Sequence, residues 1–164
     1  MIILLNGPSS SGKSSLSKAL QTLIENKRGE RYGIVSIDDF MKLRTDETIY
    51  EDDVYEISGD MCAAVTGYAS KGTGVIIDHV ITSERIYDQL TEAVSDYGIY
   101  RVHVTCPLDV LLQREQARGN RCGGSAEASF TYLFPKEGYD LEVDTNDLTS
   151  QQAAELIYVR AFGG

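Results

Sequence analysis

Residues 7 to 14 read Gly7-Pro8-Ser9-Ser10-Ser11-Gly12-Lys13-Ser14 and fit the spacing G-x-x-x-x-G-K-[ST]. They follow the apolar run Ile2-Ile3-Leu4-Leu5 directly. A strand, a tight glycine turn and then a helix is the context in which this spacing wraps a chain of phosphates. Gly7 and Gly12 allow backbone angles and a close approach that a side chain would block. The main chain of Gly7, Pro8, Ser9, Ser10, Ser11, Gly12, Lys13, Ser14 and Ser15 is therefore the expected nucleotide cradle. A helix starting near Lys13 aims its positive end at the phosphates. Lys13 adds a point charge within reach of the outer phosphates, and Ser14 offers a hydroxyl to Mg²⁺.

Two acidic positions follow strand-like runs. Val35-Ser36-Ile37 leads into Asp38-Asp39, and Val75-Ile76-Ile77 leads into Asp78. A carboxylate after the first of these faces the phosphate loop and can accept a proton from an incoming hydroxyl. Asp38 is assigned that chemistry and Asp39 to capping or substrate contact, with the choice between them left open. Helix capping competes as an explanation for both. Asp78 fits the Walker B arrangement, which makes Ser14 and Asp78 the expected Mg²⁺ pair. A basic cluster, Arg114, Arg118 and Arg121, lies in Arg114-Glu115-Gln116-Ala117-Arg118-Gly119-Asn120-Arg121. Arg114 and Arg118 share one helix face, and Gly119 ends the helix. Planar guanidinium groups suit a moving phosphoryl group. Cys122-Gly123-Gly124-Ser125 then reads as part of a small lid over about residues 114–130.

Those positions need a scaffold. Ile2–Leu5, Ile34–Ile37, Val75–Ile77, Tyr100–Val104 and Leu141–Val143 read as five strands. Leu16, Ala19, Leu20, Leu23 and Ile24 form one helical stripe, and Lys27-Arg28-Gly29 forms its stop. Further helices are marked by Ile86, Leu90 and Val94, by Leu108, Leu111 and Leu112, and by Ala153 to Ala161 with Thr149 or Ser150 as cap. Continuous Val/Ile/Leu runs fit strands covered on both faces. The alternation predicts one α/β domain over residues 1–164. Alternation gives a doubly wound sandwich with ligands at the strands' carboxyl ends. Together with the phosphate-loop spacing, the expected fold is that of a P-loop NTPase, a five-stranded parallel sheet flanked by helices on both faces.

The bulk properties narrow the function. The chain has 164 residues, with 15 basic and 25 acidic side chains and a net charge of −10. That balance argues against a nucleic-acid surface as the main partner. The apolar runs are too short to span a bilayer, and the start of the chain lacks a basic leader. The expected location is the cytosol, with Cys62, Cys106 and Cys122 as free thiols. No C-x-x-C pair exists, and His79 and His103 are isolated, which argues against zinc. His79 stands next to Asp78, either touching substrate or serving structure; His103 lies inside a strand and reads as core. Seven carboxylates between Asp46 and Asp60 read as a solvated helix face, or as a flank of the acceptor site that repels anions. Tyr50, Tyr55, Tyr132 and Tyr139 are candidates to line a pocket, or core.

These residues also carry a resemblance. Ile3-Leu4-Leu5-Asn6-Gly7 with Ser9 to Ser14, then Ile37-Asp38, then Arg114-Glu115 with Ala117-Arg118-Gly119-Asn120-Arg121, resemble the chloramphenicol phosphotransferase family of P-loop small-molecule kinases. Tyr139-Asp140-Leu141-Glu142-Val143-Asp144-Thr145 continues the likeness, which covers nearly the whole chain. It implies Asp38 as base for the acceptor hydroxyl, Lys13 and Ser14 on the nucleotide, and Arg118 and Arg121 as lid arginines with Arg114 close by. By analogy it also puts Thr145 and Asn146 near the adenine. Phe40 to Gly72, where the acceptor should bind, departs from the family pattern, and Gly-Pro heads the loop in place of a small pair. The reading is an ATP- and Mg²⁺-dependent phosphotransferase acting on a small-molecule hydroxyl. Chloramphenicol, a nucleoside, a sugar and a nucleotide-sugar stay open as acceptors, and a nucleotide-dependent switch is the rival of another class.

Overall fold

The computed structural model describes residues 1–43, 50–119 and 123–163. Strand β1 (Ile2–Asn6) is buried along its whole length. Ile2 and Leu4 enter one apolar cluster, and Ile3 and Leu5 enter another. Successive strand residues point to opposite faces, so β1 demands cover on both. The chain supplies it with α1 (Lys13–Arg28), β2 (Tyr32–Ser36), α2 (Ile37–Met41), α3 (Glu51–Ser70), β3 (Gly74–His79) and α4 (Glu84–Ala93). There follow β4 (Ile99–Thr105), α5 (Leu108–Arg118), α6 (Ser125–Tyr132), β5 (Leu141–Asp144) and α7 (Ser150–Phe162).

All five strands run parallel, in the order β2-β3-β1-β4-β5. Leu16, Leu20 and Ile24 of α1 pack with Ala153, Ala154 and Ile157 of α7 on one face. Ile57, Met61 and Val65 of α3 pack with Ile86 and Leu90 of α4 on the other. Neighbours β1 and β3 thus send their connections to opposite faces. That opens a crevice at their carboxyl ends, where open parallel sheets bind ligands. The P-loop NTPase architecture read from the sequence is the observed one. No helix among the described residues is long and apolar enough to cross a membrane.

Local signals set most boundaries. Gly29 ends α1 at φ 66°, and its N–H returns to Glu25 O at 2.9 Å. Thr149 caps α7: its Oγ1 accepts the Gln152 N–H at 3.1 Å, while Gln152 Oε1 accepts the Thr149 N–H at 2.9 Å. The second strand departs from the expected 34–37. It ends at Ser36, and Ile37 already opens α2, with Asp38 and Asp39 in the first turn. Carboxylates there are favoured by the helix dipole. Asp38 is therefore a residue of a short helix, not the end of a strand.

The acidic run is also helix chemistry. Glu51, Asp52 and Asp53 fill the first turn of α3, and Asp53 Oδ2 accepts the Tyr50 N–H at 3.1 Å. Asp52 pairs with Arg85 at 2.7 Å, and Ser83 Oγ donates to Glu51 Oε1 at 3.1 Å, tying α4 to α3. Asp46 and Glu47 lie outside the described residues. Cys62 and Cys106 are buried thiols, and Cys122 lies outside the described residues. His103 is not core. Its Nδ1 meets Glu142 Oε2 of β5 at 2.9 Å, and its ring stacks on Tyr139 at 4.8 Å. On that side β4 is flanked by β5 alone, the edge strand of the sheet, and His103 is half-buried opposite Glu142.

Two buried polar residues close the crevice floor. Asn6, at the end of β1, donates from Nδ2 to Phe134 O at 3.0 Å and to Tyr139 Oη at 2.9 Å. Its Oδ1 accepts the Ile81 N–H at 2.9 Å. One side chain thus joins β1, the segment after β3 and the segment after α6. His79 is 1% exposed and its Nδ1 accepts the Val80 N–H at 2.9 Å, which leaves the proton on Nε2. Burial, helped by Lys13 and opposed by Asp38, drives its pKa down to about 3.

Asn6→Ala removes the acceptor of the buried Ile81 N–H, so it costs about 2–3 kcal/mol and lowers Tm by roughly 5–10 °C. An unchanged melting curve defeats the hub role. The neutral form of His79 stabilises the fold fully above pH 6.5, the ordinary histidine value, and that contribution is lost as pH falls toward 3. The Tm of His79→Phe should therefore fall less steeply than that of the parent between pH 6.5 and 3. Parallel curves count against it.

Candidate active site

The loop after β1 has little freedom. A methyl group on Gly7 would lie 2.1 Å from Val104 O, so only glycine lets the chain pass that carbonyl. Gly12 sits at φ 90°, and Ser10 adopts φ 70°, an uncommon conformation for a residue with a side chain. Ser11 N–H closes on Pro8 O at 3.2 Å. Lys13 folds back over the loop, donating from Nζ to Pro8 O at 2.9 Å and to Ser11 Oγ at 3.3 Å. The hydroxyls of Ser9 and Ser10 are buried with no hydrogen-bond partner among the described residues.

The loop is braced from outside. Thr145 Oγ1, just after β5, donates to Ser11 O at 2.7 Å. Arg114 of α5 donates from Nη1 to Thr145 Oγ1 at 3.0 Å and to Ser10 O at 3.4 Å, and from Nη2 to Thr145 O at 3.0 Å. Across the crevice, Ser14 Oγ donates to Asp78 Oδ2 at 3.0 Å, and Ser36 Oγ approaches the same oxygen at 3.4 Å. Burial pushes the Asp78 carboxyl up; Lys13 and Ser14 oppose this, and Asp38 adds to it.

Two cavities meet here. The first, of about 530 Å³, is lined by Ser9, Ser10, Gly12, Lys13, Ser14 and Ser15 of the loop and helix α1, and by Asp38, Asp78, Arg114, Arg118 and Thr145. Gly7, Pro8 and Ser11 belong to the loop but do not line it. The second, of about 610 Å³, lies between α2, α3, α4 and α6. Ser9, Asp38 and Val80 line both. Asp38 is half-buried on this partition, whereas Asp39 is exposed and lines neither. Arg118 reaches the first cavity from the end of α5, where Gly119 at φ 64° stops the helix. Arg121 lies outside the described residues.

Of the four tyrosines singled out, only Tyr132 lines the second cavity. Tyr55 lies under the Arg85 guanidinium at 3.9 Å, Tyr139 holds Asn6, and Tyr50 is exposed ahead of α3. The sequence does not point directly to Ala117 and Leu148 in the first cavity, nor to Ala128 and Ser129 of α6 in the second. Leu148 adjoins the legible cap at Thr149, a signal for its place at the site. Ser129 carries no such signal.

Ser14 Oγ and the Asp78 carboxylate are hard oxygen donors beside the loop, the donor type that Mg²⁺ takes. The residues present fit that ion.

The fold is shared widely. The APS kinase of Mycobacterium tuberculosis, solved with AMPPNP and APS, superposes with a TM-score of 0.80 at 17% identity, over 98% of this chain and 96% of that one. Shikimate kinase from Acinetobacter baumannii, solved with shikimate, gives 0.70 at 17% identity over 99% and 93%. The tunicamycin resistance protein of Deinococcus radiodurans gives 0.68 at 24% identity over 98% and 94%. Comparison with curated proteins returns no match. Residues 1–161 match the family described as chloramphenicol phosphotransferase-like protein, and with that match over nearly its whole length the chain belongs to this family.

Proposed function

We propose that this protein is an ATP-dependent kinase that transfers a phosphoryl group to a hydroxyl of a small molecule without anionic groups. The observation that carries the reading is the pair of cavities joined at Asp38. The first has the phosphate loop, Lys13 and Arg118, with Ala117 and Leu148 as apolar cover for a base. The second has space for an acceptor that reaches the same carboxylate. A pure nucleotide switch has no use for a second cavity bordering a base.

In this reading Lys13 leaves Pro8 O for the outer phosphates. Ser14 and Asp78 hold Mg²⁺, which neutralises phosphate charge when bound. Asp38 accepts the hydroxyl proton as the acceptor oxygen bonds to phosphorus and the bond to ADP breaks. Arg118 and Arg121 offset charge on the transferring group. The loose transition state leaves positioning and electrostatics to do most of the catalysis.

The acceptor class follows from the second wall. Ile37, Met41, Val54, Ile86 and Tyr132 supply apolar surface, and Thr82 and Ser83 supply polar side chains. Its described charged residues are Asp38 and Glu51, with no Lys or Arg. An anionic acceptor would lose its water against two carboxylates. An uncharged or cationic amphipathic alcohol fits. Chloramphenicol is such an alcohol, which makes inactivation of an antibiotic in the cytosol the first role to test.

Asp38→Asn should lower kcat by about 10²–10⁴-fold while ATP affinity stays within about threefold. Full turnover removes Asp38 from the base role. Lys13→Ala should weaken ATP binding measured by calorimetry, and unchanged affinity and rate reject its assignment. In a panel of alcohols read by ADP release, neutral and cationic amphipathic compounds should be phosphorylated in preference to sugar acids and nucleoside monophosphates. An anion as the best acceptor overturns the class.

A further inference from the structure

Helix α6 lines the second cavity through Ser125, Ala128, Ser129 and Tyr132 and contributes no residue to the first. It nevertheless holds the phosphate loop. The Ser9 N–H donates to Ser129 Oγ at 2.9 Å, a buried hydrogen bond. The Ser129 hydroxyl spends its own proton inside α6, donating to Ser125 O at 2.7 Å. Its oxygen is thereby turned toward Ser9 as an acceptor.

The start of α6 is fixed by α5. Glu115 is 7% exposed, and its Oε2 accepts the Ala126 N–H at 3.0 Å. A carboxylate at the first turn of a helix is favoured by the exposed N–H groups there. The neighbouring Arg114 holds Ser10 O and Thr145. One helix therefore grips the loop from the nucleotide side and a second helix, clamped to the first, grips it from the acceptor side. The contacts form a closed ring: loop, Arg114, Glu115, α6, Ser129 and loop again.

We propose that Ser129 and Glu115 are positioning residues that couple the two cavities, so that phosphate on the loop sets the placement of the acceptor wall carried by α6. The inference rests on the nucleotide reading above. Neither residue touches the reacting atoms; both act through the Ser9 amide and the α6 backbone. Two binding sites that bias one element are coupled reciprocally, so acceptor binding tightens nucleotide binding by the same factor.

Amide hydrogen exchange on the full-length protein, followed on peptides 5–16 and 123–134, tests this. Without ligand, Ser129→Ala should speed exchange in both peptides by about tenfold, the loss of one hydrogen bond. Thr131→Ala, on the exposed side of α6, should change neither. Glu115→Ala should speed exchange in 123–134, and Glu115→Gln, which keeps an acceptor oxygen, should restore it. Saturating ADP with Mg²⁺ should protect both peptides in the parent, but only 5–16 in Ser129→Ala. Glu115→Ala also disturbs the small core of Cys106, Leu111 and Ala126, so Ser129→Ala carries the decision. Protection of 123–134 by ADP that is equal in the parent and in Ser129→Ala overturns the coupling. If ADP protects neither peptide in the parent, the nucleotide reading fails. The ligand-free comparison then decides the link alone, and unchanged exchange in Ser129→Ala overturns it.

Discussion

The passage of Gly7 beside the carbonyl of Val104 is the constraint from which the site is built. Strand β1 is locked between β3 and β4 with both faces buried, so its carboxyl end cannot shift to relieve a clash. A side chain at residue 7 has no room. The backbone turns sharply there, and each later contact inherits the turn. Lys13 starts α1 at the point where its amine reaches back to Pro8, and Ser14 faces Asp78.

Around this turn the fixed charges are arranged in partial opposition. Asp78 is deeply buried, and Lys13 and a hydroxyl on either side offset only part of its burial penalty, so its carboxyl stays above the usual range. Arg114 is engaged with backbone carbonyls and Thr145, so it acts as structure as much as charge. The acidic first turn of α3 serves its own helix terminus and α4, while Glu51 also faces the second cavity. The large negative charge of the chain thus coexists with a local gathering of Lys13, Arg114 and Arg118 around the loop.

What was legible in the sequence was local. The strand–loop–α1 unit is written in contiguous residues, and Gly29 and Thr149 announce their helix ends through chemistry within three or four positions. Asp78 was legible because a buried strand leads straight into it. The end of β2 was misplaced by one residue, because Ile37 suits a strand and a first helical turn equally, and Asp38-Asp39 tip it to helix. The strand around His103 suggests core by itself, and only the pairing of β4 with β5 brings Glu142 to its ring. The Asn6 hub and the Ser9–Ser129 bond join residues 128 and 120 positions apart, and no local pattern encodes such a pairing. The second cavity draws its walls from four helices, so its character emerges only after folding.

The lysine resting on Pro8 gives the loop a guest of its own. For the proposed kinase, nucleotide arrival is then a swap of partners for one ammonium group, not a simple addition. Affinity must reflect the difference between a peptide carbonyl and a phosphate as hosts for that cation. The same hydrogen bonds solvate a buried ammonium with the loop's own oxygens, beside the Asp78 carboxyl, and fasten the turn in its shape.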